Sequence, residues 1–256
     1  MKDPLHVGLV GFGLAGEVFH APLIRANSHL RLTHIAQRTG DRAQRKYPDV
    51  RLLRDVTALL AEPDVDLVVV ATPNASHFEI ANQALLAGKH VVVDKPFTVH
   101  SREADILIAL ARARGRVLSV FHNRRWDGDF LTVREILDRG LLGRVVEFES
   151  RYDRYRPKLK AGAWREQAVP GAGLLYDLGS HLIDQAVVLF GSPMGVVADL
   201  RRQREGAAAT DNFEVHLQYP AVKVVLKAGS LVCEPSARFT LRGMDGSYIK
   251  YALDPQ

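Results

Sequence analysis

Residues 6–16 read His-Val-Gly-Leu-Val-Gly-Phe-Gly-Leu-Ala-Gly, an apolar run followed by the spacing G-x-G-x-x-G. The run predicts a first strand, His6–Val10, and the segment with Val18 and Phe19 predicts a helix after the glycines. A glycine-rich turn between a strand and a helix is typical of a unit that binds the pyrophosphate of a dinucleotide. We therefore expect the N-terminal half to be a dinucleotide-binding domain.

Each glycine of the turn has its own expected task. Gly11 permits the tight turn, Gly13 lets the backbone approach the pyrophosphate, and Gly16 allows the helix to pack closely on the strand. The alternative is a glycine-rich turn without a ligand. The residues predicted to contact the dinucleotide here are Gly11, Phe12, Gly13, Leu14, Ala15 and Gly16.

Short apolar runs alternate with helical patterns through the first half of the chain, which predicts a doubly wound parallel sheet. The fourth run is nearly continuous and β-branched, so we expect its strand in the middle of the sheet. Ser76 and Ser101 are predicted to cap helices that end at Gly88 and Gly115. The predicted strands are His6–Val10, Leu30–Ala36, Val50–Leu53, Val65–Thr72, His90–Val93 and Val117–Phe121.

The pattern changes after Phe121. A helix of about residues 129–139 is followed by many strand-like runs and one long helix, Leu174–Phe190, which predicts an α+β domain on a mostly antiparallel sheet. We therefore expect a dinucleotide-binding Rossmann domain over residues 1–121 and a substrate domain over residues 122–256. The predicted strands of the second domain are Val145–Tyr152, Val196–Arg202, Phe213–Tyr219, Val222–Ala228, Arg238–Arg242 and Tyr248–Tyr251.

Composition narrows the class of protein. The chain has 256 residues, of which 47% are hydrophobic and 25% charged, so an intrinsically disordered chain is excluded. A single cysteine and the absence of a signal-like or membrane-spanning run lead us to expect a cytoplasmic protein without membrane association. The 34 Lys and Arg are interleaved with 29 Asp and Glu. We expect no nucleic-acid partner, and we interpret the basic stretch Arg151–Lys160 as a solvated or anion-facing loop.

The end of the second predicted strand decides which dinucleotide is expected. An acidic residue there would bind the ribose 2′-hydroxyl of NAD, whereas this sequence has Gln37, Arg38 and Thr39. The guanidinium of Arg38 can pair with a 2′-phosphate, so the sequence favours NADP, with NAD as the alternative cofactor. The competing interpretation is that Arg38 simply points to solvent.

Two further features carry acid–base chemistry. Lys95 follows a strand, at the sheet edge where ligands bind, and its ammonium could stabilise a negative charge that develops on a substrate oxygen. A merely solvated lysine is the alternative.

Asp177, His181 and Asp184 have the spacing of one helix face. A carboxylate there could support the protonated form that the imidazole takes after acting as general base. A structural histidine is the alternative, and we predict no metal site, because one helix face does not enclose an ion.

The order of these landmarks resembles the glucose-fructose oxidoreductase and inositol dehydrogenase (Gfo/Idh/MocA) family over the whole chain. Residues 19–24, 89–98 and 121–127 are more narrowly similar to bacterial NADP-dependent scyllo-inositol dehydrogenases. The resemblance rests on the glycine turn, Thr72-Pro73-Asn74 with His77, Asp94-Lys95-Pro96, Trp164-Arg165, and Asp177 with His181.

The resemblance implies hydride transfer between a polyol or sugar carbon and the nicotinamide. Lys95 and Asp177 would position the hydroxyl, and His181 would take its proton. Asp94 would approach the nicotinamide ribose, although the more usual acid before Lys-Pro is the longer Glu. The residues expected to contact the cofactor in this way are Thr72, Pro73, Asn74, His77, Asp94, Lys95, Asn123, Trp164 and Arg165.

The resemblance also sets expectations about the whole assembly. Family members continue beyond Gln256, so we expect a second domain that is incomplete at its C-terminus. We also expect a homodimer or homotetramer that forms through the second-domain sheet. Two rival functions stay open: a reductase or dehydrogenase of an aldose, keto-inositol or dihydrodiol, and a non-catalytic NADP-sensing regulator, which would have no need of Lys95, Asp177 and His181.

Overall fold

The computed structural model describes residues 3–254 and divides the chain after Phe121 into two compact units. We call them the N-terminal unit and the C-terminal unit. Each has its own apolar core, and each is described below by itself. Among the described residues, no helix is long and apolar enough to cross a membrane.

The N-terminal unit is a six-stranded sheet in which every neighbouring pair is parallel. The strand order is 3-2-1-4-5-6, the doubly wound order of dinucleotide-binding domains. The fourth strand is central, as its β-branched sequence predicts. The strands are β1 (Leu5–Val10), β2 (Leu30–Ala36), β3 (Arg51–Leu53), β4 (Leu67–Val70), β5 (His90–Asp94) and β6 (Leu118–Phe121).

Helices of the N-terminal unit connect these strands. The first helical segment opens with a π-helical stretch, Ala15–His20, and two five-residue helices were not predicted because they are too short for a readable periodicity. The helices are α1 (Ala21–Ala26), α2 (Arg42–Lys46), α3 (Val56–Leu60), α4 (His77–Leu86) and α5 (Ser101–Ala113).

The two predicted serine caps are wrong in detail. Ser76 precedes α4, but its hydroxyl donates to Pro73 O at 2.7 Å and lies 2.8 Å from the Thr72 hydroxyl, and its side chain makes no capping bond to the helix. Ser101 is the first residue of α5 rather than its cap. The backbone N–H of His100 donates to Glu103 Oε2 at 3.2 Å, so the cap lies one residue earlier.

The C-terminal unit contains a second six-stranded sheet of order 12-11-7-10-9-8. Only β7 and β10 pair in parallel, so the sheet is mostly antiparallel, and the predicted α/β plus α+β fold class is confirmed. Its elements are α6 (Gly128–Asp138), β7 (Val145–Arg151), α7 (Ser180–Phe190), β8 (Gly195–Arg201), β9 (Asn212–Gln218), β10 (Lys223–Gly229), β11 (Ala237–Gly243) and β12 (Ser247–Tyr251).

The predicted long helix of the C-terminal unit is composite. A π-helical stretch, Leu175–Gly179, runs into the regular helix α7. Leu178, Leu182 and Ala186 pack into the core with strand residues such as Phe213. π-Helical turns inside helices are frequent at functional sites, because the wider turn changes where side chains point. Asp177 lies in the wide turn, and His181 lies in the regular helix.

Candidate active site

The glycine turn of the N-terminal unit has the geometry expected for a dinucleotide. Gly11 adopts φ +96°, and a Cβ there would lie 2.5 Å from the Ala71 carbonyl oxygen. A side chain at Gly16 would collide with the Gly11 carbonyl. By contrast, a Cβ at Gly13 would meet no atom within 4 Å. The turn is therefore tight on its protein side and open at Gly13, which fits a pyrophosphate lying against that backbone.

Two other residues of the turn contribute differently. The Phe12 ring is 4% exposed and packs edge-on against Tyr47, with 6.0 Å between ring centroids, so only the backbone of Phe12 is available to a ligand. Leu14 is 73% exposed. Arg42, which sequence reasoning missed, donates to the Phe12 carbonyl and pairs with Glu17 at 3.1 Å. It ties the turn to the loop after β2.

That loop is organised by Gln37 rather than by Arg38. Gln37 Nε2 donates to the Thr39 carbonyl at 2.7 Å, and its Oε1 accepts from the Ala43 N–H at 2.9 Å. Arg54, also missed, donates to the carbonyls of Gln37 and Gly40. Arg38 and Thr39 are exposed. The loop presents guanidinium groups and no carboxylate from the Gln37–Thr39 segment.

The segment after β4 holds a buried histidine. His77 is fully buried, with Nδ1 2.8 Å from the Pro96 carbonyl and Nε2 2.9 Å from the Thr72 carbonyl. Its ring is therefore enclosed by protein on both nitrogens, and a role of His77 at the cofactor stays a prediction. His77 instead links the Thr72-Pro73-Asn74 segment to the Lys95-Pro96 segment. Asn74 is 6% exposed.

Asp94 and Lys95 end β5 at the edge of the sheet. Asp94 Oδ1 accepts the Lys95 backbone N–H at 2.7 Å, and Oδ2 lies 3.8 Å from His20 Nε2. Burial opposes ionisation of Asp94, but His20 and the Lys95 ammonium outweigh it, so the pKa of the carboxyl lies below its ordinary value. A charged Asp94 thus accompanies Lys95 at this edge.

In the C-terminal unit, the close packing and backbone hydrogen bonds of Gly173 position Asp177. Gly173 adopts φ +86°, and a Cβ there would lie 2.9 Å from the Thr210 carbonyl oxygen. The Gly173 N–H donates to the Arg165 carbonyl at 3.1 Å, and the Asp177 N–H donates to the Gly173 carbonyl at 3.1 Å. Arg165 Nε also lies 3.3 Å from Asp177 Oδ1. The structure therefore brings together two of the predicted site residues.

The short helical turn Trp164–Glu166 is held in place by Arg204. The guanidinium of Arg204 reaches both carboxylate oxygens of Glu166, at 3.2 and 2.6 Å, and also donates to Asp211 at 2.9 Å. The Arg165 guanidinium carbon lies 4.5 Å from the centroid of the Trp164 ring. This turn is thus a rigid support for the side chain that faces Asp177.

His181 is 4% exposed and lies beside a buried tyrosine. Its ring centroid is 6.4 Å from that of Tyr152, which is 3% exposed. The guanidinium carbon of Arg124 lies 5.0 Å above the Tyr152 ring. Burial raises the pKa of the Tyr152 phenol, so this phenol stays neutral beside the imidazole.

Asp184 does not belong to the acid–base group. Its two oxygens accept from Arg125 Nε at 2.8 Å and Arg125 Nη2 at 2.6 Å, and His122 Nε2 lies 3.6 Å away. Asp184 lies in the same regular helix as His181, but its carboxylate is paired with these other side chains. Asp184 is instead a structural partner that anchors the Asn123–Trp126 turn, which carries the predicted contact residue Asn123.

Arg154 adds positive charge near Asp177. Burial lowers the pKa of its guanidinium, and the Asp177 carboxylate partly opposes that shift. Arg154 lies in the basic stretch Arg151–Lys160, for which the anion-facing interpretation was one of two alternatives. No spacing rule marks Arg154 in the sequence, because the stretch has no regular periodicity.

The predicted site residues therefore form two groups. The glycine turn, the Gln37–Thr39 loop, the Thr72 segment, Asp94 and Lys95 lie in the N-terminal unit. Asn123, Trp164, Arg165, Asp177 and His181 lie in the C-terminal unit. Fold and turn together define the class of NAD(P)-dependent oxidoreductases.

Comparisons with known proteins identify the family. A model described as an oxidoreductase family with an NAD-binding Rossmann fold, GFO_IDH_MocA, matches residues 5–122. A model of the GFO/IDH/MocA C-terminal domain matches residues 130–249. The chain therefore belongs to the Gfo/Idh/MocA oxidoreductase family, as its resemblance indicates.

Individual relatives agree with this assignment. The chain is 48% identical to the oxidoreductase YdgJ of Escherichia coli, covering 100% of this chain and 74% of YdgJ. It is 39% identical to scyllo-inositol 2-dehydrogenase (NADP(+)) IolW of Bacillus subtilis, covering 99% of this chain and 71% of IolW. The structure of the oxidoreductase yvaA from Bacillus subtilis superposes with a TM-score of 0.95 at 39% identity, covering 98% of this chain and 72% of that one.

The open space at Gly13 generates a test of the cofactor turn. Gly13→Ala adds a methyl group that meets no protein atom within 4 Å, so the fold should keep its thermal stability. The same methyl occupies the side where the pyrophosphate is expected, and the affinity for NADP should fall at least tenfold, about 1.4 kcal/mol. Calorimetric titration and thermal unfolding measure the two effects. Unchanged affinity would contradict the placement of the dinucleotide at Gly13.

Proposed function

We propose that the protein catalyses reversible hydride transfer between NADP and a hydroxyl-bearing carbon of a cyclic polyol or sugar. The observation that carries the proposal is the Asp177 and His181 pair at the start of α7, with Arg165 3.3 Å from the Asp177 carboxylate. A buried imidazole one turn from a charged carboxylate is suited to general acid–base work. A non-catalytic regulator has no evident use for such a pair.

The roles of the side chains follow from their chemistry. His181 takes the hydroxyl proton during oxidation and returns it during reduction. Asp177 stabilises the imidazolium that results and, held by Arg165, orients the substrate hydroxyl. Lys95 supplies an ammonium that can stabilise negative charge developing on a substrate oxygen. The bound nicotinamide supplies the hydride acceptor or donor.

The preference for NADP rests on the loop after β2. Arg38 is exposed, Arg42 and Arg54 line the loop, and the Gln37–Thr39 segment carries no carboxylate to repel a 2′-phosphate. Forked guanidinium groups pair well with phosphate oxygens. The name of IolW, an NADP(+) enzyme, agrees with this preference.

The substrate class rests on the relative and on the site together. IolW is named for scyllo-inositol, a cyclic polyol, and we carry that class over to this chain. Arg154 and Arg165 provide donors for hydroxyl oxygens near Asp177. An aldose, a keto-inositol or a dihydrodiol is the second candidate class, favoured by the same donors.

Association of copies through the second sheet also belongs to the proposal. The face of this sheet opposite its core carries charges of both signs that already pair across strands, such as Lys227 with Glu214 at 2.7 Å and Arg242 with Glu147 at 3.1 Å. The edge strand β8 is exposed along its length, including Val196 and Val197. A second copy of this chain would cover these residues.

Arg38→Ala tests the cofactor preference. Loss of a charge-assisted hydrogen bond to the 2′-phosphate should weaken NADP binding by roughly 1.5–3 kcal/mol and leave NAD binding nearly unchanged. Titration of both cofactors measures this difference. Arg31→Ala, an exposed arginine in the first half of β2, is the matched control. Equal losses for NADP and NAD would show that Arg38 does not bind the phosphate.

His181→Ala tests the mechanism. Removal of the general base should reduce turnover of scyllo-inositol or another active polyol by about 10²–10⁴-fold and leave NADP affinity almost intact. His216→Ala, a half-exposed histidine on β9, is the matched control and should keep full turnover. Near wild-type turnover of His181→Ala would eliminate this residue as the base and leave Lys95 as the candidate.

A further inference from the structure

A group of metal-ligating side chains lies in the N-terminal unit, on β2 and on the segment before β4, and it contains no residue of the glycine turn. One ligand atom each from His34 in β2, and from Glu62 and Asp64 between α3 and β4, lie within 4.8 Å of one another. His6 Nδ1, at the start of β1, lies 3.8 Å from Asp64 Oδ2. The group therefore combines imidazole nitrogens with two carboxylates.

His34 is held in the form that a metal ion requires. Its side chain is 5% exposed, and its Nδ1 lies 2.9 Å from Thr33 Oγ1. The Thr33 hydroxyl also donates to the Val7 carbonyl at 3.4 Å, so its oxygen can accept an Nδ1 proton from His34. The lone pair then resides on Nε2, which faces the carboxylates. A hydrogen bond from the second ring nitrogen is the usual support of a metal-binding histidine.

The distance from His34 Nε2 to Glu62 Oε2 is 3.9 Å, too long for a hydrogen bond. A buried N–H at this position would be expected to approach its acceptor more closely. A tetrahedral ion with ligands at about 2.0–2.2 Å needs ligand atoms about 3.4 Å apart, a small contraction of this arrangement.

The carboxylates are anchored but accessible. Arg51 Nη1 donates to Glu62 Oε1 at 2.8 Å, which orients Glu62 and leaves Oε2 towards His34. Lys89 Nζ donates to the Glu62 backbone carbonyl at 2.8 Å and fixes the loop. The Asp64 side chain is 49% exposed, so an ion can enter from solvent. Two carboxylates against one guanidinium leave a net negative charge when the imidazoles are neutral.

We propose that His34, Glu62 and Asp64 bind one divalent transition-metal ion of the Zn²⁺ class. Imidazole and carboxylate ligands suit such ions. The ion joins β2 to the segment before β4. Its role is structural, because none of its ligands belongs to the dinucleotide turn.

Calorimetric titration of the untagged full chain with Zn²⁺ at pH 7.5 tests the site. One saturable equivalent per chain is expected, together with a rise in the thermal unfolding temperature. Co²⁺ titrated in its place should give the strong visible absorption of a tetrahedral ion. Absence of a saturable equivalent would overturn the proposal and leave the group as an ordinary cluster of ion pairs.

Variants assign the ion to this group. Asp64→Asn and Glu62→Gln should each raise the Zn²⁺ dissociation constant at least tenfold. Asp64→Asn alters a half-exposed side chain and should leave folding and NADP affinity unchanged. The matched controls are Asp49→Asn and His29→Ala, an exposed acid and an exposed histidine of the same unit. A dissociation constant that is unchanged in both ligand variants would contradict the assignment.

Discussion

The glycine turn of the N-terminal unit depends on the close approach of the first helical segment to the residue that follows β1. The Gly16 backbone lies so near the Gly11 carbonyl that a side chain at residue 16 would collide with it. Gly11 in turn lies against the Ala71 carbonyl with φ +96°. Three chain segments therefore meet without side chains between them, and the open backbone at Gly13 is left facing outwards. The other residues of the N-terminal unit that are proposed to bind the dinucleotide lie on the same sheet as this turn or next to it.

In the C-terminal unit, a glycine also allows two backbone segments to pack closely, here beside Asp177. Gly173, with φ +86°, lies against Thr210, and its N–H bonds to the Arg165 carbonyl. In the π-helical stretch that follows, the Asp177 carboxylate lies 3.3 Å from Arg165 Nε. The buried His181 is the second residue of α7. In both units a glycine allows backbone segments to meet, and the chemistry is carried by the residues that follow.

The parts of the fold that depend on apolar runs could be predicted from the sequence. The β-branched run Leu67–Val70 is central in the sheet, as expected for a strand that is buried on both faces. Features that depend on single hydrogen bonds could not be predicted. The cap at His100 depends on Glu103, and the buried position of His77 depends on two carbonyl oxygens from separate segments. Helical spacing placed Asp184 on one face with Asp177 and His181, but it could not show that Asp184 pairs with Arg125.

The central claim is hydride transfer from a polyol carbon to NADP, and isotope transfer measures it most directly. The protein is incubated with NADP and scyllo-inositol that carries deuterium on its ring carbons, and the reduced cofactor is examined by mass spectrometry. We predict NADPH one mass unit heavier than that formed from unlabelled inositol, together with slower turnover of the labelled substrate. Failure to form reduced cofactor from scyllo-inositol, other inositols or aldoses, with either NADP or NAD, would contradict the claim.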